Sequence, residues 1–244
     1  AGDLVNTVVT DKNGVAKSDT LPLGRYTIRE TKAPMFYSAA AQPIEAEIEF
    51  SGQIVRIEVL NQSVYTNVSV SKRGYKQVTP SQTIRYDFKN IANNSTVPLN
   101  SFYWRDTLPT SAVRLTKIIT GTWNQKLSYK VVYKTNLHDY RTLADNLSTM
   151  KNYSLDASPA ALGLASNEYV TDFMFVFGTV KAGFAQVDAP YIFCWTNSWL
   201  NNGYQFANRT DVGGLHDGQW IMATDRWVTT IYKAGVPKLP KTGY

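Results

Sequence analysis

Cysteine, histidine and acidic side chains are few and scattered in this chain. The one cysteine, Cys194, sits in Tyr-Ile-Phe-Cys-Trp. It has no second cysteine for an intrachain disulfide, and its apolar neighbours point to a buried small hydrophobe, not a reactive thiol. The two histidines, His138 and His216, are far apart, each beside an aspartate. No paired His/Cys/Glu spacing suggests zinc, and Asp211, Asp217 and Asp225 do not follow a calcium-loop pattern. Neither a Gly-x-Ser-x-Gly elbow nor a phosphate-cradling glycine loop occurs. No metal, cofactor or turnover chemistry is therefore expected. One segment has instead the form of a substrate: Leu239-Pro240-Lys241-Thr242-Gly243 near the C-terminus. Pro240 cannot continue a helix and biases Leu239 toward extended geometry, the shape that peptide-reading enzymes take.

The elements that must position any site are strands. The 244 residues suffice for one large or two ordinary domains. Aromatic residues make up 13% and apolar residues 43%, enough to build cores and too much for a disordered stalk. Short Val-, Ile-, Thr-, Tyr- and Phe-rich runs punctuated by Gly, Pro and Asn predict β-sandwiches. The net charge of +6 comes from singly scattered Lys and Arg, so nucleic acid is not an expected partner. Ala1-Gly2-Asp3-Leu4 lacks a basic leader and an apolar core, and no run reaches bilayer-spanning length. The expectation is a soluble piece of a longer secreted protein.

Residues 1–63 alternate in strand fashion between turn signals. Leu4–Thr10 precedes Asp11-Lys12-Asn13-Gly14, a hairpin-turn signature, and Arg25–Glu30, Ile44–Ile48 and Ile54–Val59 are further alternating runs. Thr10-Asp11-x-Asn13-Gly14, Leu21-Pro22-Leu23-Gly24-x-Tyr26-x-Ile28-x-Glu30 and Ala33-Pro34 resemble the collagen-adhesin B-type (SpaA-type) domain. Many members of that family carry an intramolecular isopeptide bond between a first-strand lysine and a last-strand asparagine, promoted by a glutamate. The resemblance places Glu30 at the glutamate and Asn61 at the asparagine. Lys12 and Lys17 lie in and after the hairpin turn, so the lysine strand is missing and a remnant, unbonded site is expected. Phe36 replaces the glycine usual in the family's Pro-x-Gly-Tyr turn.

A second pattern starts near Tyr65. Asn67–Lys72, Val78–Phe88, Phe102–Pro109 and Gly203–Val212 follow one another in an order that resembles the larger isopeptide-forming, immunoglobulin-like collagen-adhesin A-type sandwich, spread over roughly residues 68–233. That resemblance implies Lys72 as nucleophile, Asn208 as acyl acceptor and Asp106 as the proton-shuttling acid. The residue types suit this chemistry. Burial lowers a lysine's pKa, which frees the amine, and raises a carboxyl's, which lets it donate to an amide oxygen. Lys126–Asn136 reads as a strand, Ser158–Ala165 as a short capped helix, Phe173–Gly178 as a buried strand and Trp220–Tyr232 as closing strands. Trp195, Trp199 and Tyr204 cluster near Asn201-Asn202-Gly203, a loop open to a sugar or protein reading as well as to core packing.

The terminal Leu-Pro-Lys-Thr-Gly resembles the LPxTG sorting signal of Gram-positive cell-wall proteins. This implies sortase and, after sorting, peptidoglycan as partners. It also implies a wall-anchored surface location and only a transient membrane association, through a segment beyond Tyr244. Three regions are expected: 1–63, 64–233 and a tail at 234–244. The leading reading is a non-enzymatic, wall-proximal stalk of an adhesin or minor pilin, with other pilins or a host surface ligand as further partners. Ile231-Tyr232-Lys233 lacks the proline of the Tyr-Pro-Lys motif that polymerising pilins offer to sortase. The alternatives are a ligand-binding domain using the aromatic stretch 137–207, or the anchor region of an enzyme lying upstream.

Overall fold

Asp11-Lys12-Asn13-Gly14 forms the turn its composition predicts. The Asp11 carboxylate accepts from the backbone N–H of Asn13 (2.8 Å) and Val15 (3.0 Å), and Gly14 takes a φ of 76°. The structure, a computed structural model, describes residues 2–34, 37–40, 42–233 and 235. The chain divides into two units, Ala1–Val64 and Tyr65–Tyr244. In the first, β1 (Gly24–Ile28) pairs antiparallel with β3 (Ile44–Ile48), and β2 (Tyr37–Ser38) pairs with β4 (Gln62–Ser63).

Two expected strands do not form. Leu4–Thr10 and Ile54–Val59 alternate in sequence but join no sheet. Leu4 is 85% exposed, Val9 88% and Ile54 80%, so no neighbouring layer covers their apolar side chains. Alternation makes a strand only where a partner edge accepts its hydrogen bonds. Phe36 lies outside the described residues.

The second unit contains β5 (Val68–Gly74), β6 (Gln77–Val78), β7 (Thr83–Asn93), β8 (Leu99–Thr107), β9 (Val113–Ile119), β10 (Ser128–Thr135), β11 (Arg141–Ser148), β12 (Ser154–Asp156), β13 (Val170–Val180), β14 (Tyr191–Thr196), β15 (Gln205–His216) and β16 (Gln219–Ile231). A seven-stranded sheet runs β11-β10-β13-β8-β15-β16-β6, and a five-stranded sheet runs β12-β9-β14-β7-β5. Their inner faces share one core. Phe88 of β7 meets Trp104 of β8 edge-on at 4.6 Å, and Trp104 in turn contacts Phe173 and Phe175 of β13. Trp123, Phe177 and Phe184 extend the aromatic layer. Each such ring, once buried, contributes about 1.5–3 kcal/mol.

Two local features set the site's frame. In β7, Ile84, Tyr86 and Phe88 face inward, then Ile91 and Asn93 do. The change of parity is a bulge at Asn90, which adopts a φ of 57° opposite the step from Ser69 to Ser71 in β5. Asparagine tolerates that left-handed backbone better than most residues. The bulge keeps both Val68 and Lys72 of β5 buried beside their partners Asn93 and Phe88. The helix expected at Ser158–Ala165 is instead a series of turns. Ser158 does cap it, its Oγ accepting from the N–H of Ala161 (3.3 Å), but Gly163 at a φ of 63° ends it after one turn. The closing stretch expected at Trp220–Tyr232 is one long strand, β16, which ends at Ile231, and not several. Among the described residues no helix is long and apolar enough to cross a membrane.

Candidate functional site: a buried lysine, aspartate and asparagine

Asp106 of β8 lies directly opposite Thr210 of β15, and Thr210 lies opposite Asp225 of β16. Directly opposed residues share a face, so these three form one row across the inner surface of the large sheet. Asn208, two residues from Thr210, points to the same side. Thr210 ties the row down: its Oγ1 accepts from Trp104 Nε1 (2.8 Å) and donates to the Arg105 carbonyl (2.8 Å). Lys72 comes from the opposite sheet.

All three residues implicated by the sequence therefore converge. Lys72 is 2% exposed, and Asp106 and Asn208 are fully buried. Lys72 Nζ donates to Asp106 Oδ1. Its Nζ lies 3.9 Å from the Phe88 ring centre and 4.8 Å from that of Tyr86. Asp106 Oδ2 and both side-chain polar atoms of Asn208 are buried without a hydrogen-bond partner. Asn208 nevertheless lies close enough to bias the Asp106 carboxyl toward its charged form.

Burial pushes both members of the pair toward their uncharged forms. Burial pushes the Lys72 amine below its ordinary range, and the attraction of Asp106 only partly restores it. Burial likewise raises Asp106, against the pull of Lys72. Taking two charges out of water costs more than their attraction returns unless the remaining lone pairs are satisfied. Here Asp106 Oδ2 is not. An amine and a carboxyl both pushed toward their uncharged forms, beside an unpartnered carboxamide, make a set that can do acyl-transfer chemistry.

Cys194 is fully buried near the pair, and burial pushes its thiol up, in keeping with an inert hydrophobe. His138 belongs elsewhere: it contacts Glu168 (3.0 Å), which also accepts from Thr135 and Arg141. His216 lies 3.4 Å from Asp217. Among the described residues no group of three or more His, Cys, Asp or Glu could hold a metal ion. Trp195, Trp199 and Tyr204 are exposed, while Phe173, Phe175, Phe177 and Phe184 of the aromatic stretch are core residues.

In the first unit, Asn61 Nδ2 donates to Glu30 Oε1 (2.9 Å), and Glu30 Oε2 accepts from the Ala40 N–H (2.9 Å). Asn61 Oδ1 is buried and unpartnered. The two residues thus meet as the resemblance implies. Lys12 and Lys17 are exposed in the turn region, and among the described residues no lysine bonds to either Glu30 or Asn61. The Leu239–Gly243 motif lies outside the described residues.

Sequence reasoning missed the walls and supports of the second site. Tyr86, Phe88 and Thr210 read only as strand residues, and Asp225 only as a rejected calcium ligand. The period-two run Ile84-x-Tyr86-x-Phe88 did mark an inward face; its pairing with Lys72 needed the register.

The fold and site together define a two-sheet β-sandwich with a buried Lys–Asp–Asn constellation, preceded by a smaller all-β unit. Residues 1–63 match the family described as SpaA, a prealbumin-like fold domain. No curated protein matches the chain. Among solved structures it is similar to the major pilin subunit BcpA of Bacillus cereus (TM-score 0.39, 13% identity, covering 93% of this chain and 61% of that one). It is also similar to the major pilin SpaD of Corynebacterium diphtheriae (TM-score 0.31, 18% identity, 91% and 51%). A cohesin module from a Clostridium perfringens family 33 glycoside hydrolase overlaps at a TM-score of 0.34 with 9% identity, over 69% of this chain and 98% of the module. The chain thus spans 61% or less of either pilin. Overlaps this loose leave the architecture to be read from the chain's own sheets.

Proposed function

We propose that this chain is a structural, pilin-like part of a Gram-positive surface protein, braced by a self-formed amide between Lys72 and Asn208. The observation that carries the reading is the burial of Lys72, Asp106 and Asn208 in one apolar pocket, with the carboxamide left unpartnered. In the reaction the neutral Lys72 Nζ attacks Asn208 Cγ while the Asp106 carboxyl donates to Asn208 Oδ1. One Nζ proton passes through Asp106 to Nδ2, the Cγ–Nδ2 bond breaks and ammonia leaves. Asp106 ends as it began. The reaction runs once per molecule, so the protein modifies itself and turns nothing over. Fixing the partners in one dry pocket is the main accelerant, since pre-orientation can supply several kcal/mol of the barrier.

The SpaA-type match of residues 1–63 supports the surface-protein assignment. The Leu-Pro-Lys-Thr-Gly motif supports anchoring by sortase to peptidoglycan, with other pilins as neighbours. The test is the intact mass of the purified chain beside Lys72→Ala and Asp106→Ala. A deficit of one ammonia in wild type that is absent from both variants is the expected result. A wild-type mass equal to the sequence overturns the bond. Incubation with a sortase and a glycine nucleophile, read as cleavage after Thr242, tests the anchoring.

A further inference from the structure

Lys72 is held at two points. Its side chain reaches Asp106, and its backbone N–H donates to Asp225 Oδ2 at 2.7 Å. Asp106 and Asp225 are the two ends of the row that runs through Thr210 across three adjacent strands. Two interstrand spacings separate their backbones, roughly 9.6 Å. Lys72 bridges the two ends, its backbone N–H on Asp225 and its Nζ on Asp106. In lying along the row it passes over β15, the strand that carries Asn208.

The grip is needed because β5 is an edge. It closes one side of the five-stranded sheet, and among the described residues its only ladder neighbour is β7. β16 lies near the edge of the facing sheet, paired with β6 only at Thr230 and Ile231. Across this open side of the sandwich run side-chain to backbone bonds. Besides Asp225, Trp227 Nε1 and Thr229 Oγ1 both donate to the Tyr75 carbonyl (3.1 and 2.9 Å). Only the Asp225 bond ends on the lysine itself. Asp225 Oδ1 accepts in addition from the Arg226 N–H (2.8 Å), which fixes the carboxylate's direction.

We infer that Asp225 is a positioning residue for the Lys72–Asn208 reaction: it pins the backbone of the nucleophile so that Nζ is delivered over Asn208. The inference rests on the reaction proposed above. Asp225 touches no reacting atom and passes no proton; what it needs is an acceptor oxygen at the right place. An asparagine therefore replaces it and an alanine does not.

The experiment follows bond formation in the full chain made by cell-free translation. Timed samples are quenched in acid, and intact mass gives the fraction that has lost ammonia. Wild type, Asp106→Ala, Asp225→Ala, Asp225→Asn and Trp227→Phe are run together. Displacing the attacking atom by about 1 Å costs on the order of 100-fold, so Asp225→Ala is expected to slow ammonia loss by about 10- to 100-fold. Asp225→Asn is expected to react near the wild-type rate. Trp227→Phe removes the indole bond to the Tyr75 carbonyl at the position opposite Asn208 but leaves the Asp225–Lys72 bond in place, and is expected to stay close to wild type. Melting Lys72→Ala against Lys72→Ala/Asp225→Ala reports folding with no amide cross-link in either protein, and a fall of only a few degrees, the share of one backbone-to-side-chain hydrogen bond, is expected.

Wild-type kinetics for Asp225→Ala overturn the inference while leaving the bond intact. Equal slowing by Trp227→Phe, or failure of Asp225→Asn to rescue, reduces Asp225 to a general brace and also overturns it. No ammonia loss in wild type removes the parent reaction instead, a result that the Asp106→Ala lane separates from the others.

Discussion

Replacing the buried pair by apolar residues, Lys72→Met with Asp106→Leu, tests the cross-link by the sign of its effect. In an unbonded protein this change is neutral or stabilising by about 1–4 kcal/mol, because two groups costly to bury disappear together. In a bonded protein the same change also opens a loop of about 136 residues, whose closure contributes about 5 kcal/mol on the chain-entropy treatment. The net is then a loss of about 1–5 kcal/mol. For a domain of 150–250 residues each kcal/mol moves the melting point by about 2–4 °C, so a fall of roughly 2–20 °C is expected. The assay is calorimetric melting of wild type and double variant, with intact mass taken on the same samples. Phe88 and Tyr86 already line the lysine, and they offer the methionine an apolar bed. A double variant that melts at or above wild type would refute the argument for a cross-link.

Three further outcomes are expected. The Glu168 carboxyl is held down to about 2, chiefly by the Thr135 hydroxyl with His138 and Arg141 adding to it. Its stabilising share is therefore complete above its ordinary value near 4.5 and lost as pH falls toward 2, so Glu168→Gln should flatten the acid limb of a urea-midpoint profile from pH 6 to 2. Gly121 has a φ of 66°, and a Cβ there would sit 2.2 Å from the Asp188 carbonyl oxygen and 2.9 Å from Pro190 N. Gly121→Ala should thus destabilise by about 4 kcal/mol or more, read as a lost or sharply lowered melting transition. In the first unit, Glu30 and Asn61 meet with no lysine bonded to either among the described residues, so wild type should lack one ammonia and not two, and Asn61→Ala should show the same deficit by mass.

How much of this was legible beforehand differs from region to region. Lys72, Asp106 and Asn208 were named from a resemblance spread thinly over the chain, and period two then explains why all three face inward. Asp225 was invisible in that reading. Its role depends on β16 lying against β5, a long-range placement that no local pattern encodes. Leu4–Thr10 and Ile54–Val59 misled for the same reason: alternation specifies which side chains share a face, but not whether another strand is there to pair. Ser158–Ala165 failed at the other end of the scale. The Ser158 cap forms, yet a single turn halted by Gly163 is too short to repay helix nucleation. Glu30 and Asn61 came together as expected, because Asn61 lies immediately before β4, whose Gln62 and Ser63 pair with β2.

The positions of Lys72 and Asn208 in chain order bear on how the second unit would carry tension. Lys72 lies on the unit's first strand, and Asn208 on β15, which with β16 forms its last hairpin. With the amide closed, a pull between Tyr65 and Lys233 runs along β5, crosses the new bond and leaves through β15 and β16. Residues 73–207, including nearly all of the aromatic layer, fall outside that load path. The core would then answer for folding and the short outer route for extension. Two properties that usually compete in a sandwich would thus be assigned to different parts of the same chain.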